Sequence, residues 1–335
     1  MAVAALAILA ASCTQTPSGP GSANSWTVDP AVADAATTAD ALAPNLAYAP
    51  TTPPIGRLAV FMHGTGSQPH AHYEIATRLR AEGYHVILLR YSATLGTLGA
   101  CPDAVAAPQP DCHREFRSEA VFGAGVVDPD GNSYDHAIAN ISSADSISNR
   151  LLKLVDFLDG VAPTKGWDQF QLSTLGTCDT MNTTYGVCDL DWSTISALGH
   201  SQGAGVALYL GKFFDLNAIG LLSGPFDAFD LGGGLFTVAP WITEGGFDTP
   251  AAEIRSLSHL SDYAIDRIRA ALDAVPVAGP EVSAILPPPF PTGRLVTSET
   301  ATCPWDPAQG HNSTAVDVCA PDYLYSAAWS ALAGS

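Results

Sequence analysis

Residues 193–213 constrain the fold more than any other stretch of this 335-residue chain. Ser193 to Leu198 is a short β-like run and Gln202 to Phe213 an apolar helix, with only Gly199-His200-Ser201 between them. A strand that becomes a helix so abruptly brings backbone against backbone, so the positions two residues either side of Ser201 must lack side chains. They are Gly199 and Gly203. The turn lifts the Ser201 hydroxyl out of the sheet and points the amino end of the helix at it. Strands that lead into helices need parallel partners. The chain supplies them: Arg57–Met62 and His85–Tyr91 read as strands around a helix over Tyr73–Ala81, which Gly83 stops. Further on, Asp145–Leu158 reads as a helix and Asn217–Leu222 as a strand. Ile254–His259 is a strand, Ile265–Leu272 a helix and Gly293–Ser298 the last strand, after a stiff Pro287–Pro291 connector. The reading is α/β, one domain over 51–335 without internal repeats.

Three stretches lack a period. Residues 92–142 read as an excursion off the sheet, and 167–191 as loop. Residues 225–257 carry Phe226, Phe229, Phe236, Trp241 and Phe247 among many glycines, and read either as a cap over a site or as packing on the body. Asp128-Pro129-Asp130-Gly131-Asn132 reads as a tight turn, because its glycine is misplaced for a calcium loop.

G-x-S-x-G between strand and helix is the pattern of a nucleophile elbow, and the acid and the histidine follow such a serine in that order. A hydroxyl is a weak nucleophile until a base takes its proton. After Ser201 the histidines are His259 and His311. His311, on a loop after the last strand, is the candidate base, and His259 reads as structural or as orienting the acid loop. Asp262 is the first candidate acid, Asp227 the alternative and Asp306 a third. Two backbone N–H groups must meet the developing oxyanion. Gln202 follows the serine, and Thr65 lies in the turn His63-Gly64-Thr65-Gly66 that ends the first of these strands. Trp305 and Trp241 are candidate substrate walls.

With 14 Lys+Arg against 33 Asp+Glu, the net charge of −19 speaks against nucleic-acid binding. Residues 1–13, MAVAALAILAASC, read as a signal peptide, and Ala10-Ala11-Ser12-Cys13 is similar to a lipobox, so Cys13 is a candidate for lipidation and a membrane tether. Residues 14–50 read as a low-complexity tether. The other six cysteines fall into neighbouring pairs, Cys101–Cys112, Cys178–Cys188 and Cys303–Cys319, the expected disulfides of an exported protein. Their spacing does not suggest a metal site, and the chemistry above calls for no cofactor.

These residues resemble the α/β-hydrolase superfamily, and its lipase/esterase branch in particular, over roughly residues 55 to 330. The resemblance is carried by the turn H-G-T-G, the elbow G-H-S-Q-G and the late Gly310-His311. Ser146-Ile147-Ser148-Asn149-Arg150-Leu151 with Gly166-Trp167 and the elbow is similar to a group of uncharacterised secreted bacterial serine hydrolases. The resemblance implies a mostly parallel central sheet with helices on both faces and loop or cap insertions. It also implies hydrolysis of a lipid, polymer or small-molecule ester, with no obligate protein partner. A peptidase or amidase of the same fold, or a catalytically inactive binding module, are the alternatives.

Overall fold

The residues read as a tether instead begin the sheet. In the computed structural model, which describes residues 24–38, 40, 43–105, 109–172, 190–275, 277, 279–285, 288–291, 293–298, 310–320 and 322–334, β1 (Ser25–Val28) and β2 (Asn45–Tyr48) pair antiparallel, with the short α1 (Pro30–Ala33) between them. Their four-residue length hides them in an Ala- and Thr-rich stretch. Burial holds them in place: Val28, Ala47 and Tyr48 join the core, and the Asn45 side chain accepts the Arg90 backbone N–H at 2.7 Å. The expected leader and Cys13 lie outside the described residues.

From β3 (Leu58–Met62) onward, strand and helix alternate through α2 (Tyr73–Ala81), β4 (His85–Leu89), α3 (Thr97–Ala100), α4 (Cys112–Phe122), α5 (Ile147–Val161), β5 (Ile195–His200), α6 (Gln202–Phe213) and β6 (Ala218–Leu222). A hairpin, β7 (Ala228–Gly232) and β8 (Leu235–Val238), and α7 (Pro240–Thr243) interrupt the series. It resumes with β9 (Ile254–His259), α8 (Ile265–Ala274), β10 (Val282–Ser283), β11 (Arg294–Thr297) and α9 (Asp322–Leu332). The nine-stranded sheet runs β1-β2-β4-β3-β5-β6-β9-β11-β10, and every pairing from β4 to β10 is parallel.

Because successive strand residues face opposite ways, a sheet covered on both sides reads as an unbroken apolar run. In β3, Leu58, Val60 and Met62 pack with residues of α4, α5, α6 and α8, while Ala59 and Phe61 face Ile75 and Leu79 of α2 and Tyr325 and Trp329 of α9. Helices therefore lie on both faces of a mostly parallel sheet, the α/β-hydrolase fold the motifs imply.

Two aperiodic stretches turn out to be ordered. Residues 92–142 hold α4, whose helical period was masked because His113, Arg117 and Glu119 are buried along with Phe116, Val121 and Phe122. Residues 225–257 pack on the body, with Phe229 and Trp241 almost wholly buried. Within 167–191, Trp167 and Phe170 are core residues and Gln171 bridges to Leu190.

Candidate active site

The turn between β5 and α6 has the geometry that its glycines anticipate. Ser201 sits at φ 57°, ψ −115°, a backbone region costly for any residue with a side chain, and persists there because its surroundings leave no alternative. A Cβ on Gly199 would stand 2.1 Å from the Gly203 carbonyl oxygen, and one on Gly203 would stand 2.0 Å from that of Met62. The Ser201 N–H donates to the Leu222 carbonyl at 2.9 Å, tying the turn to β6.

Loops from the carboxyl ends of β9 and β11 bring two further side chains to this serine. The His311 ring lies with Nε2 3.0 Å from Ser201 Oγ and Nδ1 2.8 Å from Asp262 Oδ2. Since the carboxylate accepts, Nδ1 carries the proton and Nε2 can accept from the hydroxyl. Asp262 is buried, and its other oxygen accepts the Ala264 N–H at 2.9 Å, so the carboxylate is anchored within its own loop. His259 also serves this loop: its Nδ1 accepts the Ser261 N–H at 3.0 Å, and its ring packs so closely on Gly310 that a Cβ there would come within 2.4 Å of Nδ1.

The segment after His311 is pinned from three sides. Asp317 caps α2 by accepting the N–H groups of Tyr73 at 2.7 Å and Glu74 at 3.1 Å, and burial pushes its carboxyl up to about 6. His72 Nδ1 donates to the Ala315 carbonyl at 2.8 Å, and Trp329 Nε1 to that of Thr314 at 2.9 Å. His200 adds a fourth tie. Its Nε2 donates to the His311 carbonyl at 2.9 Å, and burial, with the neighbouring imidazoles, holds it well below the ordinary histidine value. Burial thus favours the neutral ring, with the proton on the Nε2 that faces this carbonyl.

On the other flank of Ser201 lies the turn after β3. The Thr65 hydroxyl donates to Gln202 Oε1 at 2.8 Å, so the two residues expected to present N–H groups are clipped together. Gly64 stands against the serine, where a Cβ would come within 3.1 Å of the Ser201 Cβ. The His63 side chain turns away. Its Nδ1 donates to the Gly64 carbonyl at 2.9 Å, burial pushes it down to about 3, and it shapes the turn rather than lining the cleft.

Asp227 is engaged elsewhere. Behind the elbow it takes both Nε and Nη2 of Arg117, at 2.9 and 2.8 Å, and Trp241 Nε1 at 3.3 Å. Burial alone would raise this carboxyl, but the Arg117 charge and hydrogen bonds, with His113 and Trp241, outweigh it and hold it below the usual carboxylate value. Trp241 is accordingly a buried partner of Asp227 and no substrate wall. Arg117 also donates to the Gln202 carbonyl at 3.0 Å and to Thr97 Oγ1 at 3.1 Å, joining elbow, α4 and the cleft wall. Sequence reasoning missed Arg117. The available signal was Gly205 inside an apolar helix: a Cβ there would lie 2.2 Å from the guanidinium, so the glycine makes room for it.

Cys101 and Cys112 are disulfide-bonded, with S–S 2.09 Å. His136 Nε2 lies 3.4 Å from Cys112 Sγ, but sulfurs joined to each other offer no thiolate to a metal. Cys178, Cys188, Cys303, Trp305 and Asp306 lie outside the described residues; Cys319 is buried and disulfide-bonded. Ser201 and His311 open into a cleft of about 400 Å³, bordered by Thr65 and residues 96–99 on one side and by Phe226 and Tyr263 on the other. Those two aromatics were not singled out as site residues in the sequence.

No protein-family model and no curated protein matches the chain. Among solved structures it is similar to a sugar hydrolase from Lactococcus lactis, at 14% identity and TM-score 0.42 over 88% of this chain and 93% of that one. It is similar to an α/β serine hydrolase without a lid from Xanthomonas campestris, at 13% identity and TM-score 0.37 over 84% and 86%. A dienelactone hydrolase from Anabaena variabilis is similar at 12% identity and TM-score 0.33 over 76% and 78%.

Proposed function

We propose that this chain is a secreted serine hydrolase that cleaves carboxylic esters through an acyl-enzyme, with Ser201 as nucleophile, His311 as base and Asp262 as the acid. The observation that carries this reading is the hydrogen-bonded line from Asp262 through His311 to Ser201 on the floor of an open cleft. Asp262 holds the tautomer whose Nε2 lone pair faces the hydroxyl and stabilises the imidazolium that forms. As Oγ attacks the ester carbonyl, Nε2 takes its proton. The Gln202 and Thr65 backbone N–H groups meet the oxygen on which charge develops. His311 then passes the proton to the leaving alcohol, and water repeats the sequence on the acyl-enzyme. No cofactor enters this scheme.

The described residues lining the cleft include no Lys, Arg, Asp or Glu to hold a charged peptide terminus, which favours esters over peptides. The Cys101–Cys112 disulfide supports export to an oxidising compartment, with lipidation at Cys13 as the means of any membrane tether. Fluorophosphonate labelling of the disulfide-intact protein, followed by p-nitrophenyl ester hydrolysis, tests the reading. It requires labelling at Ser201 and loss of both signals in Ser201→Ala. Absence of labelling in the folded protein would put the binding-module reading in front.

A further inference from the structure

The two sides of the cleft differ in a way that assigns the two halves of an ester. On the oxyanion side the wall is held fast. Gly96 packs on Thr65 so tightly that a Cβ would meet Thr65 Cγ2 at 3.0 Å, and Thr97 is buried and bonded to Arg117. The chain then enters the Cys101–Cys112 disulfide, which ties this wall to the head of α4. The segment is thereby braced on Thr65, Arg117 and α4, which favours a small group against it.

On the base side stand two aromatic rings. Phe226 is 5.4 Å from the His311 ring and Tyr263 is 5.0 Å from it, centroid to centroid, and the two meet edge to face at 6.0 Å. Phe226 is buried, whereas Tyr263 is 58% exposed and turns much of its surface to solvent at the cleft's rim. The exposed part of Tyr263 lines the cleft beside His311, where a planar ring of a ligand can lie against it.

Resting on the esterase reading, we infer that the substrate is an ester of a short acyl group whose alcohol side carries a planar aromatic ring, stacked on Tyr263. The chemistry sets the orientation. Ser201 Oγ bonds to the acyl carbon and the bond from that carbon to the alcohol oxygen breaks. The serine proton travels through His311 Nε2 to that oxygen, so the alcohol must lie on the His311 side, where Tyr263 and Phe226 stand. The acyl substituent points away from the base, toward residues 96–99.

Benzyl acetate and methyl phenylacetate test this, because they are isomers with the ester reversed and release alcohols of similar acidity. The intact protein should cleave benzyl acetate with kcat/KM about tenfold or more above that for methyl phenylacetate, in line with one well-placed ring contact. Tyr263→Ala should bring that ratio to near one, and Leu231→Ala, at an exposed hairpin position that does not line the cleft, should leave it unchanged. A ratio at or below one in the wild type, or a ratio untouched by Tyr263→Ala, overturns the assignment while leaving the esterase intact. Failure to cleave either isomer, with no fluorophosphonate labelling, removes the esterase reading itself and the assignment with it.

Discussion

Asp262 and Asp227 are both buried, both follow strands of the parallel sheet, and both lie close to the elbow, yet they stand in opposite kinds of environment. In front of the elbow, Asp262 meets the imidazole of His311. Behind it, Asp227 meets a permanent cation, Arg117, and is spoken for on both oxygens. A carboxylate that orients a base must keep an oxygen for the ring, and one locked in a two-pronged pair with a guanidinium does not. Both follow a strand, as the sequence leads one to expect, and the group opposite each sets them apart: His311 for Asp262, Arg117 for Asp227.

Substitutions should separate front from back. The largest effect belongs to the front: Ser201→Ala should lower kcat by about a million-fold, read from ester hydrolysis. Asp262→Asn should cost about ten-thousand-fold in kcat while the melting temperature moves little. Asp227→Asn should do the reverse. It strands the Arg117 charge in the interior and should cost about 3–5 kcal/mol of stability by denaturant titration, with kcat reduced far less than in Asp262→Asn. If Asp227→Asn instead abolished turnover in a protein of unchanged stability, the division of labour would be wrong. Gly205→Ala probes the back alone. The new Cβ would press on Arg117, and the expected loss is about 1–3 kcal/mol with the Ser201–His311–Asp262 line intact.

Acid should loosen both sides. Burial keeps His72 and His113 neutral down to about 4 and His63 to about 3, with His200 also far below its ordinary value. Because the unfolded chain takes up these protons near its ordinary histidine value, their contribution to stability is complete above about pH 6.5 and is lost as pH falls toward those native values. Asp317 runs the other way: its carboxyl is raised to about 6, so its contribution is present in acid and lost as pH rises through 6. Melting temperatures measured from pH 7 to pH 4 should fall, and Asp317→Asn should steepen that fall slightly by removing the opposing group.

What could be read in the chain follows short-range rules. Gly199 and Gly203 flank a serine between strand and helix; Gly199 is required by the turn itself, whose Gly203 carbonyl it faces, and Gly203 by the close approach of the Met62 carbonyl at the end of β3. The apolar runs of β3, β4 and β6 announce strands buried on both faces, since no polar alternation interrupts them. By contrast, β1 and β2 are too short to stand out, and only the pairing of β2 with β4 and of β1 with β2 makes them strands. Helix α4 was hidden because its charged residues point inward, against the pattern on which helix reading depends.

In the candidate site, the order of serine, acid and histidine along the chain selects Ser201 and His311 before any fold is seen. Four pairings belong to the tertiary structure alone: Asp262 rather than Asp227 against His311, Trp241 in the core rather than the cleft, Arg117 behind the elbow, and Tyr263 beside His311. Each is a pairing between residues far apart in the chain. Local sequence carries steric and propensity information about its own turn or helix. Which charge or ring a side chain meets is settled only when the sheet brings distant loops to the same edge.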